Sequence, residues 1–215
     1  FGWKGQNKSL LLFSGEAYNV EMGITNDLFQ TERDENANCM SAQHPNSITD
    51  PDAPTPIDAI NSIEKFTFFM RFLAPPTPSA TMPGGSASIN NGKAVFNAVG
   101  CVQCHTASFT TGKSAVAAMR NKPVNLYSDL LVHDMGVGLA DGVSQGSANG
   151  REFRTAPLWG LGQRIFFLHD GRTSDLIATI KAHASSGSEA NGSVMLYNVL
   201  GEARKQDLLN FLRSL

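Results

Sequence analysis

The chain has 215 residues, 41% hydrophobic and 17% charged, with a formal net charge of -2. That composition buries a core and excludes a disordered tail. The balance of charge excludes a strongly basic nucleic-acid binder, and no apolar run reaches the roughly 18 to 20 residues that span a bilayer. The sequence begins at Phe1 with no signal peptide, so a processed chain, a fragment or part of something longer is expected.

The first strong helix signal is Thr55-Pro56-Ile57-Asp58, an N-cap, a first-turn proline and an acidic residue three on. Ile57, Ile60, Ile63, Phe66, Met70 and Leu73 follow near the helical period, and Ala74-Pro75-Pro76 stops the run. Residues 75–87 are rich in Pro, Thr, Ser and Gly and read as a linker. A second helix is expected near Ser88, with Gly92 and Phe96 on one face, running into Gly100-Cys101. Residues 127–150 lack periodicity and predict a long surface loop of the kind that lines a site. Leu176, Ile177 and Ile180 mark an apolar helix leading to His183. The last helix, about Glu202 to Leu215, carries Leu208, Leu209, Phe211, Leu212 and Leu215 on one side. No strand pattern exceeds a hairpin. The expected fold is mainly α, with the Gly92 helix crossing the terminal helix where glycine permits close approach.

A short internal repeat is visible. Phe1-Gly2-Trp3-Lys4-Gly5 followed by Leu10 matches Phe167-Leu168-His169-Asp170-Gly171 followed by Leu176. Phe69-Met70-Arg71-Phe72-Leu73 likewise matches Phe211-Leu212-Arg213-Ser214-Leu215. The two halves are therefore expected to be related, with residues 1–74 a helical segment of a first domain and 88–215 a second.

Cys101-Val102-Gln103-Cys104-His105 is the c-type haem attachment pattern. Two thiols add to the two vinyl groups and fix the ring, and the adjacent histidine reaches the iron. A thioredoxin-like redox pair would need a βαβ context that is missing. A zinc site would need a second ligand pair that the sequence lacks. The distal ligand is open on spacing alone. His183, Met135 and His133 are the leading candidates, with His44, His169 and Met195 less well placed.

Longer motifs carry a family resemblance. Residues 127–136 (YSDLLVHDMG), 139–142 (LADG), 151–161 (REFRTAPLWGL) and 167–172 (FLHDGR) resemble the di-haem oxidoreductases, relatives of the bacterial di-haem cytochrome c peroxidases and of the methylamine-pathway di-haem enzyme. The resemblance spans nearly the whole chain. It implies two cytochrome c-like domains, each with its own attachment motif, so this chain looks like the family without the start of its first haem domain. One covalent haem c is then expected here, through Cys101, Cys104 and His105, with a second in a missing upstream part. The peroxidases place the distal ligand of the second haem fourteen residues after the histidine of the His-Asp-Gly motif, which falls on His183. Met occupies that place in the peroxidases and His in the di-haem oxidoreductases. Trp3 matches a tryptophan that lies between the haems, and Glu21-Met22 resembles a pair lining the peroxide side of the first haem. The glutamine accompanying that glutamate has no counterpart near Leu11-Leu12.

The leading functional expectation is a c-type cytochrome that transfers electrons through a bis-His haem held by His105 and His183. The alternative is part of a peroxidase-like oxidoreductase, in which this haem feeds a second, catalytic haem and Glu21 assists proton transfer. A third reading is a structural subunit of a larger electron-transfer assembly. The expected partners are a redox protein or a further haem-bearing chain, and self-association is compatible with either. A periplasmic or extracellular location is expected, because c-type haem is attached after export. Cys39 reads as a buried free thiol, or as a half-cystine paired elsewhere. Covalent attachment predicts that acidified organic solvent leaves haem on the denatured protein. Cys101→Ala should leave a single-thioether or haem-free product, read by mass spectrometry.

Overall fold

The computed structural model describes residues 1–33, 36–40 and 43–215, and of Ala37 the backbone alone. Its elements are mainly helical, with two small two-stranded sheets among the described residues. Contacts divide the chain into two units: Phe1–Gly2 with Gln6–Ala74, and Trp3–Gly5 with Pro75–Leu215.

In the first unit, α1 spans Leu10–Met22. Ser9 Oγ accepts from Leu12 N–H at its start, and Gly23 ends it in the left-handed region at φ 68°. The run expected as one helix over 57–73 is two, α2 (Pro56–Ala59) and α3 (Ser62–Arg71). Ile60 is extended, and the Asn61 side chain accepts from Glu64 N–H at 2.8 Å, so the chain restarts a helix there. An asparagine offers the backbone that local alternative, and the apolar period did not reveal it. α1 meets α3 through Tyr18 and Phe66, whose ring centroids are 5.2 Å apart.

The core of this unit is unusual in kind. Ile63 is buried, but Ile57 on α2, Phe68 and Phe69 on α3, and Phe72 and Leu73 just after α3 are exposed. Small polar residues, Ser14, Asn19, Thr25 and Asn26, are buried instead. Asn26 is satisfied: its amide donates to Gly15 O, and its side-chain oxygen accepts from Leu28 and Phe29 N–H.

The second unit is built on α4 (Gly85–Ala98) and α7 (Glu202–Ser214). α4 begins earlier than the expected Ser88, behind Gly84 at φ 79°. Ser79 N–H donates to Ser214 O, so the Pro-rich stretch is tied to the end of α7. Gly92 faces the Asp207 carbonyl and Phe211 so closely that any Cβ would collide with both. That approach lets Phe96 reach Phe211 at 5.4 Å and Tyr127 at 6.0 Å between centroids. Ile89, Val95, Leu161, Phe167, Leu176, Tyr197, Leu208 and Leu212 complete one buried cluster. Two short helices, α5 (Leu176–Ala182) and α6 (Asn191–Asn198), pack on it. The sheets pair β1 (Phe109–Thr110) with β2 (Pro123–Val124), and β3 (Val132–Asp134) with β4 (Glu152–Arg154), both antiparallel. The stretch expected as a loop over 127–150 therefore contains one strand, in register His133 against Phe153.

The sequence repeat is also a repeat of backbone conformation. Gly2 and its match Leu168 have φ of 79° and 69°, and Gly5 and Gly171 both have φ of 66°. Four residues after each of those two glycines comes a side-chain N-cap, Ser9 in one copy and Asp175 in the other. α1 and α5 then start at the matched Leu10 and Leu176. A leucine in the left-handed region is costly, on the order of 1–2 kcal/mol, so its match to a glycine is informative.

Phe96→Ala should destabilise the protein by about 3–5 kcal/mol, the usual loss for a buried aromatic. Gly92→Ala should cost about 1–3 kcal/mol or more, because the opposing atom is a backbone carbonyl that cannot swing aside. Urea unfolding checks both, with Ile57→Ala on the exposed face as a control that changes little.

Candidate functional site

The attachment motif opens on a glycine. Gly100 sits at φ 87° after α4 and turns the chain into a single 3-10 turn, Cys101–Gln103. His105 N–H donates to Cys101 O at 2.9 Å, which closes the turn. Both cysteines are free and half-buried. Burial pushes the Cys101 thiol up to about 11. Cys104 is raised too, first by burial and then by the charges of Asp129 and Glu189. Both thiols are thus protonated at neutral pH, unlike the low-pKa thiolate of a redox pair or a reactive cysteine.

His105 is held from behind. Its Nδ1 donates to the Tyr127 carbonyl at 3.0 Å. Tyr127 has φ 53°, and this left-handed residue aims its carbonyl at the ring while its own ring packs on Phe96 and Phe211. Non-glycine residues in such conformations cost of order 1–3 kcal/mol and persist only where the surroundings enforce them. His183, the residue after α5, donates Nδ1 to Thr179 O one turn back, at 2.7 Å. In both rings the proton is thereby placed on Nδ1, and the Nε2 lone pair is left to take a metal. Burial pushes His105 down to about 4 and also lowers His183. Each ring is therefore neutral at pH 7, as iron ligation requires. The charge of one disfavours the charge of the other, so the two imidazoles act within electrostatic range.

These residues fit a c-type haem. Two protonated thiols stand in the attachment spacing, and two neutral imidazoles have Nδ1 engaged and no described partner on Nε2. Val102 and Ile180, next to them, are apolar and pack on the core.

The other candidate ligands have their own partners and surroundings. His133 has both ring nitrogens engaged, Nε2 with Asp129 at 2.9 Å and Nδ1 with Glu189 at 2.7 Å. Burial alone would lower its pKa, but hydrogen bonds to Glu189 and Asp129 outweigh that and raise it. A protonated, doubly bonded imidazole is a poor iron ligand. His169 stacks on Phe153 at 4.3 Å. His44 is exposed in the first unit, and Met195 is exposed on α6. Met135 lies at a bridge to Ser188, its carbonyl accepting from Ser185 Oγ, in the turn that follows His183.

Trp3 and Glu21 are the other two residues that the resemblance singled out. Trp3 is exposed and meets the His169 ring edge-on at 6.3 Å. Lys4 beside it is buried, donating to Asp141 Oδ1 and Asn149 O with Nζ 3.6 Å above the Phe153 ring. Glu21 is exposed near the end of α1 in the first unit. Cys39 is exposed in a 3-10 turn, Ala37–Cys39, which corrects its expected burial. Sequence reasoning missed Asp129 and Glu189 as partners of His133. Asp129 is four residues away and within reach of inspection, but Glu189 is 56 residues on and left no signal.

The site is that of a haem-binding oxidoreductase. All of residues 1–215 match the family described as "Di-haem oxidoreductase, putative peroxidase", and the chain belongs to that family. No curated protein matches. A solved structure of hydrazine synthase from Kuenenia stuttgartiensis, pressurised with 20 bar xenon, is similar at 20% identity and a TM-score of 0.47. The match covers 75% of this chain and 56% of that one, so this chain spans little more than half its length. Likeness at that level carries no argument about fold or function.

Acid should act on both histidines in one direction. Both folded pKa values lie below the unfolded value near 6.5, that of His105 at about 4, so below about 6.5 the unfolded chain binds more protons. Their contribution to stability is full above about pH 7 and lost as pH falls through that window. In the haem-loaded protein the proton also competes with iron for Nε2. Acidification should turn a low-spin spectrum high-spin. His183→Ala should do the same at neutral pH and Met135→Ala should not, by absorption spectroscopy.

Proposed function

We propose that this chain is the second-haem portion of a di-haem, peroxidase-like oxidoreductase. Residues 88–215 form its cytochrome c-like domain and residues 1–74 part of a related first haem domain. Cys101 and Cys104 would attach haem c, and His105 and His183 would hold its iron. A second haem is held through a segment that precedes this sequence. This reading replaces the single-haem electron carrier as the better supported of the two.

The observation that carries it is the repeat in backbone conformation, read together with the family match. α1 and α5 start at matched positions, but the position that carries His183 in the second copy is Ala17 in the first. That helix offers no imidazole at its matched place. Support of a different kind comes from the first unit's packing. Phe68, Phe69 and Phe72 are exposed while Ser14 Oγ, Asn19 Oδ1 and Gln6 Oε1 are buried without hydrogen-bond partners among the described residues. Such a surface suits a module completed by further chain and a cofactor.

Bound haem supplies one-electron redox chemistry, and where a coordination position is open it supplies a place for peroxide to bind and break. The protein's own contribution is separate. Tyr127 O and Thr179 O fix the tautomers of His105 and His183, which keeps both Nε2 atoms available to hold the iron of such a group. Glu21 is the carboxylate placed to move a proton at the first haem, as a general acid–base group. Trp3 stands as the aromatic of the segment between the haems. The location proposed is periplasmic or extracellular, with a small redox protein as electron donor. Among the described residues no helix is long and apolar enough to cross a membrane.

A pyridine haemochrome assay on the full-length protein should give two haems per chain. Its ferric spectrum should show one low-spin and one high-spin component. Glu21→Gln should lower peroxide turnover about 10²- to 10⁴-fold with both spectra retained. One haem, low-spin only, in a protein inert to peroxide would restore the single-haem electron carrier.

A further inference from the structure

His133, set aside above as an iron ligand, has a more specific place. Its Nδ1 lies 3.8 Å from Cys104 Sγ, within the distance at which sulfur takes part in a hydrogen bond. The ring is fixed at both ends by carboxylates, Asp129 at 2.9 Å and Glu189 at 2.7 Å. Those carboxylates are fixed in turn. Asp129 N–H donates to Cys104 O at 2.7 Å, and its Oδ1 accepts from Leu131 N–H. Glu189 accepts from Asp134 N–H through Oε1, and its own N–H donates to Asp134 O. The imidazole is 16% exposed and Asp129 10%, while Glu189 is 53% exposed. Among the described residues, Cys104, Asp129 and His133 form a group whose ligand atoms lie within 4.8 Å of one another. Once Cys104 is a thioether its sulfur is committed to the haem, and what remains of the group is charge.

The charges around the ring can be counted by element. The segment before β3 brings Asp129. The segment before α6 brings Glu189. β3 brings His133 and Asp134, and Asp134 is neutralised by Arg151 at 2.7 Å. The attachment turn brings Cys104 and neutral His105. Two carboxylates therefore bear on the Cys104 sulfur, and His133 is the cation between them. With the imidazolium present the cluster has a net charge of -1, and without it -2.

We propose that His133, clamped by Asp129 and Glu189 against the Cys104 attachment point, is a positioning residue for charge that holds up the reduction potential of the haem attached there. This rests on the haem reading above. A cation beside the ring favours the reduced state, and the carboxylates alone would favour the oxidised one. The clamp keeps the cation in place: each carboxylate is bonded to it, and each is tied by backbone to an element that also contacts the attachment turn or β3. Because Glu189 reaches solvent, the ring can exchange its proton with water while Asp129 stays covered. The haem potential should therefore follow the state of His133. It should fall as pH rises through the histidine's titration, which the two carboxylates displace upward from the ordinary value.

The test is a redox titration of the haem-loaded, full-length protein, monitored by the visible bands of the low-spin haem. His133→Gln keeps a hydrogen-bonding side chain but removes the charge. At a fixed ambient potential it should raise the ratio of oxidised to reduced haem about tenfold or more, about 59 mV for one electron. The pH dependence in that window should disappear with it. His133→Lys restores the cation and should restore most of the potential. Glu189→Gln changes an exposed side chain that tolerates substitution. Measured on the acid side of that variant's own potential-against-pH profile, where His133 is charged, it should move the ratio the opposite way. If haem-loaded His133→Gln keeps the wild-type potential and pH profile, the proposal is wrong. If that variant fails to load haem, Glu189→Gln decides: no shift overturns the proposal and a positive shift supports it. The haemochrome count on the wild-type protein reads the haem assignment separately, and a haem-free wild type overturns both.

Discussion

The close crossing of α4 and α7 is the constraint on which the rest of the second unit depends. Gly92 lies against a backbone carbonyl, so the interaxial distance is set by main-chain atoms and not by adjustable side chains. That contact presses Phe96 between Phe211 and Tyr127. Tyr127 is then held in a conformation that a free tyrosine avoids, and its carbonyl meets His105. A packing decision at one glycine is thus passed, through three aromatic rings, to the tautomer of His105. Area burial alone would not do this, because a looser crossing could bury similar surface without fixing the direction of the Tyr127 carbonyl.

The two units solve the burial problem differently. The second has a continuous apolar cluster with aromatic rings at close edge-to-face distances, an arrangement that adds roughly 0.5–1.5 kcal/mol per pair beyond area. The first buries small polar groups around Ile63 and leaves a phenylalanine-rich face outside. Buried polar atoms are tolerated when hydrogen-bonded, as Asn26 is, and are costly otherwise. The turn and the helix start are alike in the two units, so this contrast does not lie in that local backbone. It comes from what the helices are given to pack against.

Much of this was legible in the sequence, for reasons that can be stated residue by residue. The attachment motif is local, so five consecutive residues carry it. The terminal helix is long and strongly periodic, and Gly92 with Phe96 announced a close crossing. The caps at Thr55 and Ser9 follow from local side-chain chemistry, although only the first was read. The break at Ile60-Asn61 was missed because the apolar period continues across it while a single asparagine ends the hydrogen-bond ladder. The exposure of Ile57 and Leu73 was missed because periodicity reports a face and does not say that anything covers it. The carboxylate clamp on His133 was missed because Glu189 arrives from a distant segment. The supports of the two imidazoles divide the same way. Thr179 is one helical turn from His183 and was open to inference, whereas the Tyr127 carbonyl required knowing that a tyrosine adopts a left-handed conformation.

The order in which the chain emerges gives the helix crossing a temporal meaning. α4 and the attachment turn appear roughly a hundred residues before α7, and they cannot find their partner until nearly the whole second unit has emerged. Contacts of such high sequence separation form late, because loop closure must precede them. Until then Phe96 has no Phe211 to rest on, and nothing presses Tyr127 toward His105. The Cys101–Gln103 turn, by contrast, is local and needs only Gly100 and one backbone hydrogen bond. The two thiols can therefore be presented well before the Tyr127 carbonyl fixes the His105 ring, and that support is complete only when the final helix has docked.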